Sequence, residues 1–294
     1  MCTAIKDNHL FGRTLDLEQP YGEHVVITPR KYPLTFLYEA PIYRHYAMIG
    51  AAHISDAIPL YYDGMNETGL CAAALRLPAI THYHEKKSKG VNLASYELIS
   101  WILCNFESAK NAKDALRDVN ITHDRFSETL PATPLHWLVC DREESFVIES
   151  CEDGVHIYDD PYDALTNAPD FPTQCKMERK HGEEIAGELS STSRFIRAVY
   201  TRENTAPADG EIESVSRFFH VLGTVNQPDG LFKAEDKRIR TVYTSCMDTE
   251  SLTYYFTTYS CRKIRAVRMK NAHLDLEEIT AFPMKRDEWI HFFN

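Results

Sequence analysis

The order of its elements predicts that this 294-residue chain folds as an α+β protein, with two antiparallel sheets packed together and helices on their outer faces. Two observations carry that expectation. Candidate strands and helices come in blocks (strands, helices, strands, helices, strands), which argues against a doubly wound parallel sheet or an α/β barrel. No internal repeat, low-complexity tract or long Pro/Gly/Ser linker divides the chain, so residues 1–294 are expected to form one domain. Apolar residues are 44% and charged residues 26%, a globular composition with enough apolar side chains for a sizeable core.

Residues 2–6 are an apolar-rich run, Asp7-Asn8-His9 is a turn-like break, and residues 10–17 return as the second arm of a hairpin. Gly12 lies inside that arm, where a glycine marks a bulge or a close backbone approach. Residues 23–29, 46–52, 60–63 and 70–75 read as further strands, the last two joined by a tight turn at Asn66-Glu67-Thr68-Gly69. Helical spacing begins after Asn92, a candidate N-cap: Leu93, Tyr96, Leu98, Trp101 and Ile102 recur near one face. Ser108 is the candidate cap of a second helix over 109–119. Strands resume at 135–140, 145–149, 155–158 and 164–166, and helices at about 176–187, 193–204 and 212–222. The final strands are 240–245, 252–257 and 264–269.

Thirty-two Lys and Arg against 43 Asp and Glu leave a formal charge of −11. Such a chain lacks the positive field of a phosphate-backbone binder, so no nucleic-acid partner is expected. The most apolar stretch, residues 91–106, is interrupted by Glu97 and too short to span a bilayer, so no membrane anchor is expected. The first ten residues contain neither an apolar h-region nor a small-residue cleavage site, and a cytoplasmic location with reduced thiols is the expectation. None of the eight cysteines has Cys-x-x-Cys spacing, and no Cys/His group has zinc-ligand spacing. The closest histidines, His82 and His84, fall in a polar, loop-like stretch. No metal and no other cofactor is expected.

Cys2 stands apart from the other cysteines. If Met1 is removed, Cys2 carries a thiol and a free α-amine on one residue. The amine titrates at about 7.7–8.0 and the thiol at about 8.5, so near neutrality the amine can serve as a local base. An N-terminal amine beside a nucleophilic side chain is an established means of activating it, with no histidine required. From Met-Cys alone, a cysteine is more often a small buried hydrophobe.

Five polar residues interrupt segments otherwise suited to burial. Arg13 and Asp16 lie in FGRTLDL, three apart and therefore on opposite faces of a regular strand. Each needs a partner if buried. They read either as a structural ion pair or as a carboxylate that handles the N-terminal proton and a cation that tunes the thiol. Asn167, in LTNAPDFP, is a turn residue or an amide donor to an oxyanion. Arg194 follows Ser190, Ser191, Thr192 and Ser193, a capping run that places a cation in a first helical turn, where it opposes the helix dipole unless something holds it. Arg76 ends LCAAALR and reads as a strand-end residue reaching solvent.

Together these segments resemble the choloylglycine hydrolase family, N-terminal nucleophile hydrolases that include conjugated bile salt hydrolases and penicillin V acylases. The matching stretches are MCTA, FGRTLDL with YGEHVVITPR, NETGL, PLHWLVCD, LTNAPDF, and SRFIRAVYT followed by SRFFHVLGTV, running from residue 1 to about residue 260 in the family's order. The resemblance implies an αββα sandwich and Cys2 as nucleophile after loss of Met1. It also implies catalytic roles for Arg13, Asp16, Asn167 and Arg194. In that scheme Asp16 holds the Cys2 amine, Arg13 tunes the thiol, Asn167 stabilises the oxyanion and Arg194 supports the charge network.

Two departures from the family pattern stand out. The strand after N-E-x-G-L ends in Arg76, where bile salt hydrolases have an Asn and penicillin V acylases often a Tyr. Arg76 could donate to an oxyanion, attract an anionic leaving group, or redirect the pocket. Only residues 169–193 separate the T-N-x-P and S-R-F motifs, a segment that in the family is longer and includes an assembly loop. A homo-oligomer is expected, without commitment to the usual tetramer. The expected activity is hydrolysis of a linear amide with an amphipathic acyl group, first a glycine- or taurine-conjugated bile acid. The alternatives are penicillin V or another N-acyl amide, and a non-catalytic acyl-compound binder.

Overall fold

The computed structural model describes residues 1–181, 188–234 and 236–284. The opening hairpin forms as expected. β1 (Cys2–Asp7) and β2 (Leu10–Leu17) pair antiparallel from Cys2↔Leu15 to Asp7↔Leu10, and Asn8 takes the positive φ that the tight turn requires. β3 (His24–Thr28), β4 (Met48–Ser55), β5 (Ile58–Asn66) and β6 (Cys71–Arg76) follow as a meander. The β5–β6 turn is built by Asn66, whose Oδ1 accepts from the Thr68 and Leu70 amides, each at 3.1 Å.

The middle of the chain gives β7 (Val91–Ala94), α1 (Leu98–Asn105), α2 (Ala109–Ala115), β8 (Val119–Thr122), β9 (Leu135–Cys140), β10 (Ser145–Cys151), β11 (Gly154–Asp159) and β12 (Ala164–Leu165). Three helices follow, α3 (Phe171–His181), α4 (Ser191–Asn204) and α5 (Glu211–Gly223). The chain then returns to strands: β13 (Phe232–Ala234), β14 (Lys237–Asp248), β15 (Thr253–Thr258), β16 (Arg265–Arg268) and β17 (Thr280–Pro283).

The strands form two large antiparallel sheets. One has the order β12-β1-β2-β14-β15-β16, with β13 also on β14; the other has the order β11-β10-β9-β6-β5-β4-β3-β17. On the second sheet both faces are buried, and the side chains sort by parity. Cys71, Ala73 and Leu75 of β6, with Ile49 and Ala51 of β4, join the core shared with the first sheet. Ala72 and Ala74, with Met48 and Ala52, pack with Leu98, Trp101 and Ile102 of α1 in a second core. α4 lies on β1 and β12, and α5 on β2 and β14. The result is the αββα sandwich, and burial on both faces explains why β4 and β6 read as continuous apolar runs.

Gly12 marks a close approach. A Cβ there would lie 2.1 Å from the Ser245 carbonyl oxygen on β14, so the β2–β14 spacing depends on its absence. No helix among the described residues is long and apolar enough to cross a membrane, and none of the eight cysteines is bonded to another.

Local structure departs from expectation in the first three helices. Asn92 is not a helix cap. It lies in β7, which pairs in parallel with β8, an unexpected strand, and its Oδ1 accepts from the Lys87 amide at 2.8 Å and from Asn120 Nδ2 at 3.0 Å. The helix begins later, where the Glu97 carboxylate accepts from the Ala94 amide at 2.9 Å and the Leu37 amide at 2.7 Å. α2 has its Ser108 cap, with Oγ accepting from Asn111 N at 3.3 Å, but ends at Ala115, where a 3-10 turn over Leu116–Asp118 leads into β8. α3 begins at Phe171 rather than near 176: Asp170 caps it, accepting from the Thr173 amide at 2.9 Å, and Pro172 sits in the first turn, where a missing N–H costs nothing. Residues 182–187 of that expected helix lie outside the described residues. β13 and β17 are also additions to the expected strands; both are short and lie at sheet edges.

Asp160 fixes the turn into β12, accepting from the Tyr162 amide at 2.8 Å and the Ala164 amide at 2.9 Å. Burial, reinforced by the charge of Asp163, pushes its pKa up to about 7. The folded state therefore holds this proton above the ordinary carboxylate range, and the stability it contributes in acid is lost as pH rises from about 4 to 7. Urea unfolding of Asp160→Asn is expected to show a smaller fall in stability over that interval than the parent protein. An equal fall in both would remove Asp160 as its source.

Candidate active site

Cys2 begins β1 at the end of the first sheet and is 2% exposed. With Met1 in place its main-chain nitrogen is an amide, and it donates to Asn167 Oδ1 at 2.7 Å. The Met1 ammonium donates to the Asp16 main-chain oxygen at 2.8 Å. The nitrogen that would become the Cys2 amine is thus held by Asn167. The Asp16 carboxylate instead accepts from Thr241 Oγ1 at 2.7 Å and Thr14 Oγ1 at 3.3 Å, and acts on the N-terminus through its charge.

β2 sends Arg13 and Asp16 to opposite faces, as their spacing predicts. Arg13 is fully buried and reaches into the second sheet, where Nη1 donates to the Tyr62 carbonyl at 3.0 Å and to the Ala74 carbonyl. Its Nη2 has no hydrogen-bond partner among the described residues. Burial favours loss of its proton, but the charges of Cys2, Tyr243, Asp63 and Asp16 outweigh this and raise its pKa. For Asp16 the balance is reversed: burial raises its pKa against the lowering effects of the N-terminal ammonium, Arg194, Thr241 and Arg13.

Arg194 sits in the first turn of α4, capped by Ser190 Oγ accepting from Ser193 N at 3.2 Å. The sequence required something to hold this cation, and neutral oxygens do so. Nη1 donates to the Cys2 carbonyl at 2.5 Å and Thr3 Oγ1 at 2.7 Å, and Nη2 to Asn167 Oδ1 at 2.9 Å. Burial lowers its pKa, while the charges of Asp16 and Cys2 oppose that shift. Asn167 Nδ2 donates to the Arg76 main-chain oxygen at 2.7 Å, so Arg76 reaches the cluster through its backbone. The Arg76 side chain is part-exposed, and its Nε is buried without a partner among the described residues.

Sequence reasoning missed two supporting groups. The first is Asp63, fully buried on β5, which accepts from Tyr243 Oη at 2.6 Å and Tyr254 Oη at 2.7 Å. Burial raises its pKa, with the charge of Arg13 acting against the shift. A carboxylate inside an otherwise apolar strand was the available signal. The second group holds the Asn167 backbone. Its carbonyl accepts from Gln174 Nε2 at 2.6 Å and its amide donates to Ser191 Oγ at 2.8 Å. The preceding Thr166 carbonyl meets His136 Nε2 at 2.7 Å, and His136 Nδ1 meets Glu149 Oε1 at 3.1 Å, both residues buried. The His82 and His84 rings meet edge-on with centroids 5.0 Å apart, and no group of His, Cys, Asp or Glu among the described residues has metal-site geometry.

A cysteine at position 2 among two buried guanidiniums, a carboxylate and a fixed amide, in an αββα sandwich, defines an N-terminal nucleophile hydrolase of linear amides. The chain belongs to the choloylglycine hydrolase family of linear amide C–N hydrolases, whose model matches residues 1–182 and 180–282. It is 39% identical to the bile salt hydrolase/transferase of Lactiplantibacillus plantarum and 30% identical to that of Clostridium perfringens, with 100% of every chain covered. A variant of the conjugated bile acid hydrolase from Clostridium perfringens has a similar structure, with a TM-score of 0.90 at 28% identity over 100% of both chains. The penicillin V acylase from Agrobacterium tumefaciens shares the fold, with a TM-score of 0.81 at 20% identity over 96% of this chain and 90% of that one.

Proposed function

We propose that this protein hydrolyses glycine- or taurine-conjugated bile acids, with Cys2 as nucleophile once Met1 is removed. The observation that carries the mechanism is the contact of the Cys2 nitrogen with Asn167 Oδ1 at 2.7 Å, which would hold the freed amine beside its own thiol. The substrate class is supported by the likeness to proteins named as bile salt and conjugated bile acid hydrolases.

In this reading the amine takes the thiol proton and the sulfur attacks the amide carbonyl. The tetrahedral oxyanion is met by the Asn167 side-chain amide. The ammonium returns its proton to the leaving amine, and the C–N bond breaks to leave a thioester on Cys2. Water then adds to the thioester with the amine as base, releasing the carboxylate and restoring the thiol. Arg13, with Nη2 uncommitted and Cys2 among the charges that raise its pKa, sets a buried cation beside the nucleophile.

Arg76 gives the substrate preference its charge logic, because the leaving groups of these conjugates end in carboxylate or sulfonate. Arg76→Gln is expected to raise KM for both conjugates about tenfold with a small change in kcat, and to leave a neutral-amine conjugate unaffected. Equal effects on charged and neutral conjugates would sink the charge-recognition role. The proposed activity is tested by intact-mass spectra of the purified protein before and after mixing with glycocholate, taurocholate and penicillin V. Loss of Met1 with a cholyl adduct on Cys2 is expected. A phenoxyacetyl adduct alone would make the protein a penicillin V acylase. Retained Met1 with no adduct would make it a binding protein.

A further inference from the structure

Asp16 leads through a single hydroxyl to a second cavity. Thr241 Oγ1, which donates to Asp16 Oδ1 at 2.7 Å, also accepts from the Gln227 amide at 2.8 Å. Gln227 lies just after α5 and lines a cavity of about 330 Å³ between that segment and the β14 and β15 strands. The side chain is 1% exposed, yet neither Nε2 nor Oε1 has a hydrogen-bond partner among the described residues. A buried amide left open at both ends is costly, and native proteins pair such groups with protein, water or ligand. The volume is about ten times the share of one liquid water and falls in the lower part of the range for small-molecule sites.

The rest of the lining narrows the chemistry. Thr241, Thr257 and Thr258 are buried and supply hydroxyls. Arg262 lies exposed at the mouth; with the Asn226 amide turned end for end, Oδ1 accepts from Arg262 Nη1 at 3.0 Å and Nδ2 donates to the Leu222 carbonyl at 3.3 Å. No Asp or Glu lines the cavity. The lining therefore carries one cation without an acidic counterpart, together with an amide that offers a donor and an acceptor side by side.

We propose that this cavity is a second small-molecule site, which takes a small carboxylate or sulfonate that also bears an amine, the chemistry of a free amino acid or aminosulfonate. The anion accepts from Arg262 and Gln227 Nε2, and the ammonium donates to Gln227 Oε1 and the threonine hydroxyls. The site does not depend on Cys2 acting as a nucleophile.

The test uses the full-length Cys2→Ala protein, so that turnover plays no part and failure of the proposed activity leaves the result readable. Glycine and taurine are titrated by calorimetry and by amide NMR shifts, with acetate and methylamine as single-group controls. Saturable binding with a Kd of about 1 mM or tighter is expected, at least about tenfold tighter than either control. Adding Gln227→Leu or Arg262→Gln is expected to weaken it at least about tenfold, with NMR shifts at the Gln227 and Thr241 amides in the parent. Absence of saturation, or binding that survives both substitutions, overturns the proposal. Should Gln227→Leu fail to fold, the exposed Arg262→Gln decides the question by itself.

Discussion

Cys2→Ala is expected to lower kcat on glycocholate by at least about 10⁴-fold while the protein stays folded. The thiol is the only nucleophile in the proposed mechanism, and its loss leaves binding and oxyanion donors that cannot form the thioester. Alanine keeps the Cβ in the core that Cys2 joins, so the melting temperature should move little. Protein purified with Met1 in place should be equally inactive for a different reason. The free amine then belongs to Met1 and is spent on the Asp16 carbonyl, while the Cys2 nitrogen is an amide and cannot accept a proton. Substantial turnover by either protein would rule out the N-terminal mechanism. Steady-state kinetics alongside intact mass distinguishes the two cases.

Asn167→Ala is expected to cost about 10²–10³ in kcat, with a much smaller change in KM. One side-chain amide touches three parts of the cluster: it accepts from the Cys2 nitrogen and from Arg194 Nη2, and it donates to the Arg76 carbonyl. Truncation takes the Asn167 acceptor from Arg194 Nη2 and from the nucleophile's own amine. Asn167→Asp separates the two ends of the amide, since it keeps the acceptor and removes the Nδ2 donor. If Asp restores most of the rate, holding the amine dominates. If it does not, donation dominates. A kcat within threefold of the parent for the alanine variant would remove Asn167 from the mechanism.

Much of this site is legible without the fold. Cys2 is singled out by the chemistry of an amine and a thiol on one residue. Arg13 and Asp16 stand out as charges in a strand, and their odd spacing places them on opposite faces, as observed. Arg194 draws notice because a cation in a first helical turn needs a partner. The nature of that partner is not legible. It is the carbonyl of Cys2 and the amide of Asn167, residues 192 and 27 positions away. Asp63, bonded to Tyr243 and Tyr254 across 180 and 191 positions, is hidden for the same reason.

The sequence by itself determined the hairpin, the Asn66 turn, the two-sheet class and the identity of the charged residues near the N-terminus. These follow from side-chain period, turn chemistry and the cost of burying charge, all of which act over a few residues. Tertiary structure alone decided that the Cys2 nitrogen rests on Asn167 rather than on the Asp16 carboxylate, that Asn92 pairs in a parallel strand, and that His136 and Glu149 brace the loop before Asn167. Such contacts join segments far apart in the chain. A buried polar group selects its partner from whatever packing brings within hydrogen-bond reach, and no local pattern specifies that choice.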